Sequence, residues 1–141
     1  MEKLITLFNA SEIDKTLVLN KLMDVLSFMA TGYEITYNHE TQARFTIKDK
    51  RITVVASRTN EEIGADAFEQ LEEYVRECDV LVTASKTADG TLKAIESFAI
   101  KSKAELIRVS GASRNSANSS PVAELLWTVI TKIFFYLAGQ E

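Results

Sequence analysis

Apolar residues along the chain switch between alternating and helical spacing, and each switch marks a predicted element. Leu4, Ile5, Leu7 and Phe8 make residues 3–9 a strand. Ser11, with Asp14 three positions on, supplies a helix-start signal. Helical spacing then runs through Ile13, Leu17, Val18, Leu22, Val25, Leu26 and Met29, with Leu19 and Phe28 at the margins, until Gly32 ends it. Three strand-like runs follow at 33–38, 43–48 and 51–57, separated by the polar stretch 39–42 and by Asp49-Lys50. Their short polar separators predict an antiparallel meander. Beyond residue 79 the pattern becomes strand (80–84), helix (89–102), strand (106–110) and a last helix from Pro121 to about Ala138, stopping before Gly139. The short apolar runs at 80–84 and 106–110 suit central strands covered on both faces.

Together these elements predict a single three-layer α/β/α domain spanning residues 1–141. Its mixed sheet contains the meander (about 33–57) and parallel βα units (about 51–110), and the chain closes with an apolar helix. No linker or low-complexity tract divides it.

Charge changes this picture in one place. The whole chain sums to −4, yet Glu61, Glu62, Asp66, Glu69, Glu72, Glu73, Glu77 and Asp79 stand against a single base, Arg76. That stretch carries −7 and leaves the remainder at +3. Ile63, Ala67, Leu71, Tyr74, Val75 and Cys78 recur at helical spacing within it, so the acids are expected on the outer face of a helix. They form either a solvated face or a docking face for a basic partner.

A signature recurs where three predicted strands end. Ser57-Arg58-Thr59, Ser85-Lys86-Thr87 and Ser113-Arg114-Asn115 each follow an alanine and lie 28 residues apart. A βα unit is commonly about that long, so the spacing partly restates the architecture. The serine, cation and Thr/Asn order is not required by it. If the strands are parallel neighbours, their C-terminal ends share the sheet edge at which open α/β folds bind ligands. Arg58, Lys86 and Arg114 would then converge with hydroxyls and with the free N–H groups of helix starts, which are the components of a phosphate site. Gly90 and Thr91, opening the next helix, add backbone that a ligand can approach closely. The competing reading is that these Ser and Thr residues cap helices and the bases are ordinary surface charge.

The catalytic inventory is thin. His39 is the only histidine, in a predicted hairpin loop, and Cys78 is the only cysteine, on the apolar side of the acidic helix. A zinc site is not expected from one histidine and one cysteine, and a thiol beside carboxylates is expected to be inert. No P-loop or dinucleotide fingerprint is present. No catalytic residue, metal or cofactor is therefore predicted.

Two resemblances bear on function. The order of helix, meander, helix and strand, with Gly32-Tyr33-Glu34-Ile35-Thr36 at the helix-to-strand junction and Val80–Thr87, Ala99 and Ala104–Ile107 further on, resembles the restriction-endonuclease-like fold of Mrr-type nucleases and Holliday junction resolvases. That family holds a divalent metal with an acid near the second strand and an acid-x-Lys on the third. Here the third strand, from Ile52 to Arg58, carries no carboxylate, and Asp49 lies in the turn before it. The resemblance thus implies a nuclease-like domain that has lost its metal site, although a divergent metal-dependent nuclease stays open. Separately, Val80–Val82 followed by Thr83–Thr91 and Leu92–Ile95 resembles the nucleotide-binding Rossmann-like domains of the DprA/LOG type. Those place a Gly-Thr or Gly-Ser turn against a ligand phosphate, though their glycine-rich first motif is absent here.

The last helix is apolar around most of its circumference, with Trp127, Phe134, Phe135 and Tyr136 among its residues. One face can pack on the sheet, and the surplus points to a symmetric homodimer through 121–138. A membrane span is not expected from so short and interrupted a run. One cysteine and a start without a signal-peptide pattern suggest a cytoplasmic protein. The reading from sequence is a binding module for a nucleotide or nucleic-acid backbone, with an assembly or adaptor protein as the alternative.

Overall fold

The computed structural model describes residues 2–8, 12–37, 40–57, 78–84, 90–110 and 121–139. Six strands, β1 (Lys3–Phe8), β2 (Gly32–Tyr37), β3 (Glu40–Ile47), β4 (Lys50–Ser57), β5 (Val80–Ala84) and β6 (Glu105–Ser110), form one sheet in the order β2-β3-β4-β5-β1-β6. The β2-β3 and β3-β4 pairs are antiparallel, and β4-β5, β5-β1 and β1-β6 are parallel. The protein is thus an α/β fold with a mixed sheet. The predicted meander and parallel units are both present. β1 lies between β5 and β6, a placement that pattern reading does not supply.

Helices α1 (Glu12–Met29), α2 (Gly90–Lys101) and α3 (Pro121–Leu137) cover the two faces. Alternation along each strand decides which core a residue joins. Ile5, Leu7, Phe45, Ile52, Val54, Val80 and Val82 pack under α1 and α3 with Val18, Leu22, Leu26, Leu125, Val129 and Ile133. Leu4, Val55, Cys78 and Leu81 pack on the other face with Ile95, Phe98 and Ala99 of α2. All five residues of β5 are buried, as a central strand covered on both faces requires.

Three local readings need correction. β6 is an edge strand in which only Val109 is buried, not a central strand covered on both faces, because Arg108 and Ser110 interrupt its apolar run. The β3-β4 hairpin turns at Lys48-Asp49, one residue earlier than predicted, with Ile47 facing Lys50. Both turn residues have positive φ, 50° and 65°. That is the handedness a two-residue hairpin needs to match the strand twist. The buried stripe of α1 is also rotated from the predicted one. Val18, Leu19, Leu22, Met23 and Leu26 are buried, whereas Ile13 and Leu17 are 60% and 43% exposed. Phe28, at 90% exposed, points away from the sheet.

α2 ends in a two-bond cap. The Ala104 N–H donates to the Ala99 carbonyl (2.9 Å) and the Lys103 N–H to the Ile100 carbonyl (3.1 Å). This closure needs a left-handed residue at the turn, and Lys103 supplies it at φ 57°. A side chain there is strained where glycine would not be. Lys103→Gly is therefore expected to raise stability by about 1 kcal/mol, read as a higher denaturation midpoint with an unchanged slope.

Candidate functional site

Parallel pairing brings the ends of four strands to one edge. β4, β5, β1 and β6 are in parallel register, so Ser57, Ala84, Phe8 and Ser110 all close their strands at the same side of the sheet. The opposite ends of the helices identify the other side. Thr31, just past α1, bonds to Thr46 at the far end of β3, and Glu105, just past α2, bonds to Glu2. Tyr136 near the end of α3 donates to the Glu2 carboxylate, with Lys50 5.5 Å from its ring centre. All three helices therefore start at the strand-end edge, and their N-terminal N–H groups collect there.

The predicted site residues meet this edge to different extents. Ser57 is the last residue of β4, and Gly90 and Thr91 open α2. Arg58, Thr59, Ser85, Lys86, Thr87, Ser113, Arg114 and Asn115 lie outside the described residues, as do His39 and the stretch from Glu61 to Glu77. In the sequence, the first two segments directly follow the ends of the neighbouring strands β4 and β5, and the third begins three residues after the end of β6, two positions beyond β5.

No model of a known family matches the chain, and no curated protein matches it.

Pattern reading missed two polar residues near the same edge. Lys15 stands in the first turns of α1 and is only 3% exposed, on the stripe that continues through Val18, Leu19 and Leu22 to the sheet. An ammonium is expensive to bury, so a lysine at this position is a distinctive use of a cation. Its spacing of three and four from Val18 and Leu19 was the available signal; its charge argued for the outside. Thr83, next to last in β5, is fully buried on the α2 face beside Thr6, and its hydroxyl has no hydrogen-bond partner. The signal there was a polar residue inside an otherwise apolar strand.

The opposite edge is differently built. Asp79 accepts a hydrogen bond from the Arg51 N–H (2.9 Å) while its backbone ties β4 to β1 through Glu2 and Lys3. A shallow groove of about 430 Å³ opens nearby between Gly32, Glu34, Arg44, Thr46 and Arg51. It lies at the far end of the strands from every helix start. Its acidic and basic groups face each other across the strands, with Glu34 and Arg44 in direct register. It lacks the one-signed field that an anion would need.

Cys78 is buried in the second core, and burial is the main force pushing its thiol up from about 9 to about 11; the neighbouring Asp79 adds to the rise, and the Thr53 hydroxyl and Arg44 oppose it. The thiol is protonated at neutral pH and unsuited to nucleophilic chemistry. Its inertness comes chiefly from desolvation, not from the carboxylates invoked from the sequence. Among the described residues no cluster of three or more His, Cys, Asp or Glu could hold a metal ion. No helix among them is long and apolar enough to cross a membrane.

Proposed function

We propose that this protein is a non-catalytic binding module for a phosphate-bearing ligand, a nucleotide or a stretch of nucleic-acid backbone, seated at the strand-end edge. The observation that carries the reading is the parallel register of β4, β5 and β6 with β1. It brings the ends of the strands that precede these Ser-cation stretches in the sequence to the edge where α1, α2 and α3 begin. Helix N-termini and cations both favour anions, and together they need no metal. Arg58, Lys86 and Arg114 supply the charge, and Ser57, Ser85, Thr87, Ser113 and the backbone near Gly90 the hydrogen bonds.

The two resemblances agree with binding in preference to cutting. Strand β4, Lys50–Ser57, carries no carboxylate, so a nuclease-like ancestry would leave it without metal ligands. A Rossmann-like ancestry would use the Gly90-Thr91 helix start against a phosphate.

Thermal shift with inorganic phosphate, a panel of nucleoside triphosphates and a short single-stranded oligonucleotide tests the proposal. At least one probe is expected to raise the melting temperature, and the triple variant R58Q/K86Q/R114Q to remove that response. A ligand at a hundred times its Kd stabilises by about 2.7 kcal/mol, well within reach of the assay. A steep decline with salt identifies nucleic acid, and a shallow one a small molecule. Absence of stabilisation by every probe overturns the reading.

A further inference from the structure

We infer that a second copy of this chain covers the outer face of α3, packed antiparallel about a twofold axis at Thr131. This inference is independent of the ligand site, because α3 meets the strand-end edge only with its first turn.

The side of α3 that faces the sheet is spoken for by Leu125, Val129 and Ile133, each no more than 2% exposed. The opposite side runs Ala123, Trp127, Thr131, Phe134 and Ala138, with Thr128 and Phe135 beside it, all at helical spacing. Trp127 is 72% exposed, Phe134 40% and Phe135 49%. The two threonines do not make this surface polar. Thr128 donates its hydroxyl to the Glu124 carbonyl (2.9 Å) and Thr131 to the Trp127 carbonyl (2.8 Å), which satisfies both donors within the helix. Only Glu124 and Lys132 flank the stripe with charge.

The stripe is also symmetric in size. Reading outward from Thr131, a bulky ring lies one turn away in each direction, Trp127 before it and Phe134-Phe135 after it. Small residues, Ala123 and Ala138, lie two turns away. In a twofold pair each position faces its mirror in sequence about the axis. Trp127 of one copy therefore meets Phe135 of the other, while Thr131 lets the two backbones approach at the crossing. A heterologous partner has no reason to favour such a palindrome.

Area supports the same occupant. α1 lies beside α3 on the same sheet face and exposes Ile13, Leu17 and Phe28 outward. At about 200 Å² for each large side chain, scaled by its exposure, these three and the α3 aromatics present roughly 700 Å² of apolar surface. A stable interface of standard size takes about 800 Å² from each partner. The exposed apolar area is thus close to what a dimer consumes.

Light scattering on the full chain from about 1 µM to about 100 µM tests the inference. The expected mass is twice 15.7 kDa, falling to one copy for Trp127→Glu with an unchanged far-ultraviolet spectrum. Trp127 is the only tryptophan, so its emission should move to shorter wavelength as concentration rises. Thr131→Cys reports the geometry even if the charged variant fails to fold. It should form a disulfide with its own copy on mild copper-phenanthroline oxidation, whereas Ile100→Cys, 79% exposed on the far side of the sheet, should not. A monomer at the highest concentration, including one that instead sediments with lipid vesicles, overturns the inference. So does a dimer that Trp127→Glu leaves intact or that Thr131→Cys does not cross-link.

Discussion

Leu22→Ala is expected to destabilise the protein by about 3 to 4 kcal/mol, the range for a buried leucine whose cavity cannot collapse. Leu22 is fully buried between α1 and the sheet, among Val18, Leu26, Val54 and Val82. The packing there is closed on both sides by helix and sheet, so the space left by Cγ and the two methyl groups stays open. The informative control is Leu17→Ala, five residues earlier on the same helix and 43% exposed. It is expected to change stability by no more than about 0.5 kcal/mol in the monomer. Urea unfolding of both variants, at equal slope, reads the difference directly. Equal losses at the two positions would mean that the stripe facing the sheet is not the one running through Lys15, Leu19 and Leu22.

Alkaline pH should unfold the wild-type protein through Cys78. Burial raises the folded thiol to about 11 from about 9. A group held protonated in the fold contributes fully below the unfolded value, and the contribution disappears as pH climbs toward the folded one. Stability is therefore expected to fall between about pH 9 and 11, by about 2 to 3 kcal/mol in all for a two-unit difference. Cys78→Ala should show a flatter profile over that window, offset by a modest loss at neutral pH from the smaller side chain. The same burial predicts slow thiol labelling at pH 8 in the native state and rapid labelling in denaturant. An alkaline decline identical in wild type and Cys78→Ala would assign the effect to other groups.

These two residues show what pattern reading reaches and where it stops. Strand β5 was legible because five consecutive apolar-compatible residues leave no exposed face, and all five are buried. α1 was legible as a helix, but its inward direction was not. Leucine, isoleucine and valine occur around most of its circumference, so two stripes competed, and Lys15 weighed against the correct one. The hairpin turn slipped by one because Lys48-Asp49 and Asp49-Lys50 are equally polar; only the backbone handedness separates them. Strand order was beyond local reading altogether. Nothing in residues 3–8 says that their neighbours are Val80–Ala84 and Glu105–Ser110, since that pairing is set by the packing of distant segments. For the candidate site, the alignment of strand ends follows from the βα alternation. The buried lysine and the unpaired Thr83 hydroxyl depended on which face each residue took.

The central seat of β1 has a consequence for how the protein is made. Of the described strands it is synthesised first, yet its partners are the last two. Lys3 pairs with Val80 on one side and Glu105 on the other. The meander β2 to β4 closes through short turns and can assemble as it emerges. β1 cannot, and such long-range closure is the slow part of folding. A nascent chain ending before β5 therefore carries an apolar strand with both hydrogen-bonding edges unsatisfied, the kind of segment that chaperones shield and that pairs wrongly when crowded. Assembly of this sheet runs from one side inward, and its oldest strand is the keystone set last.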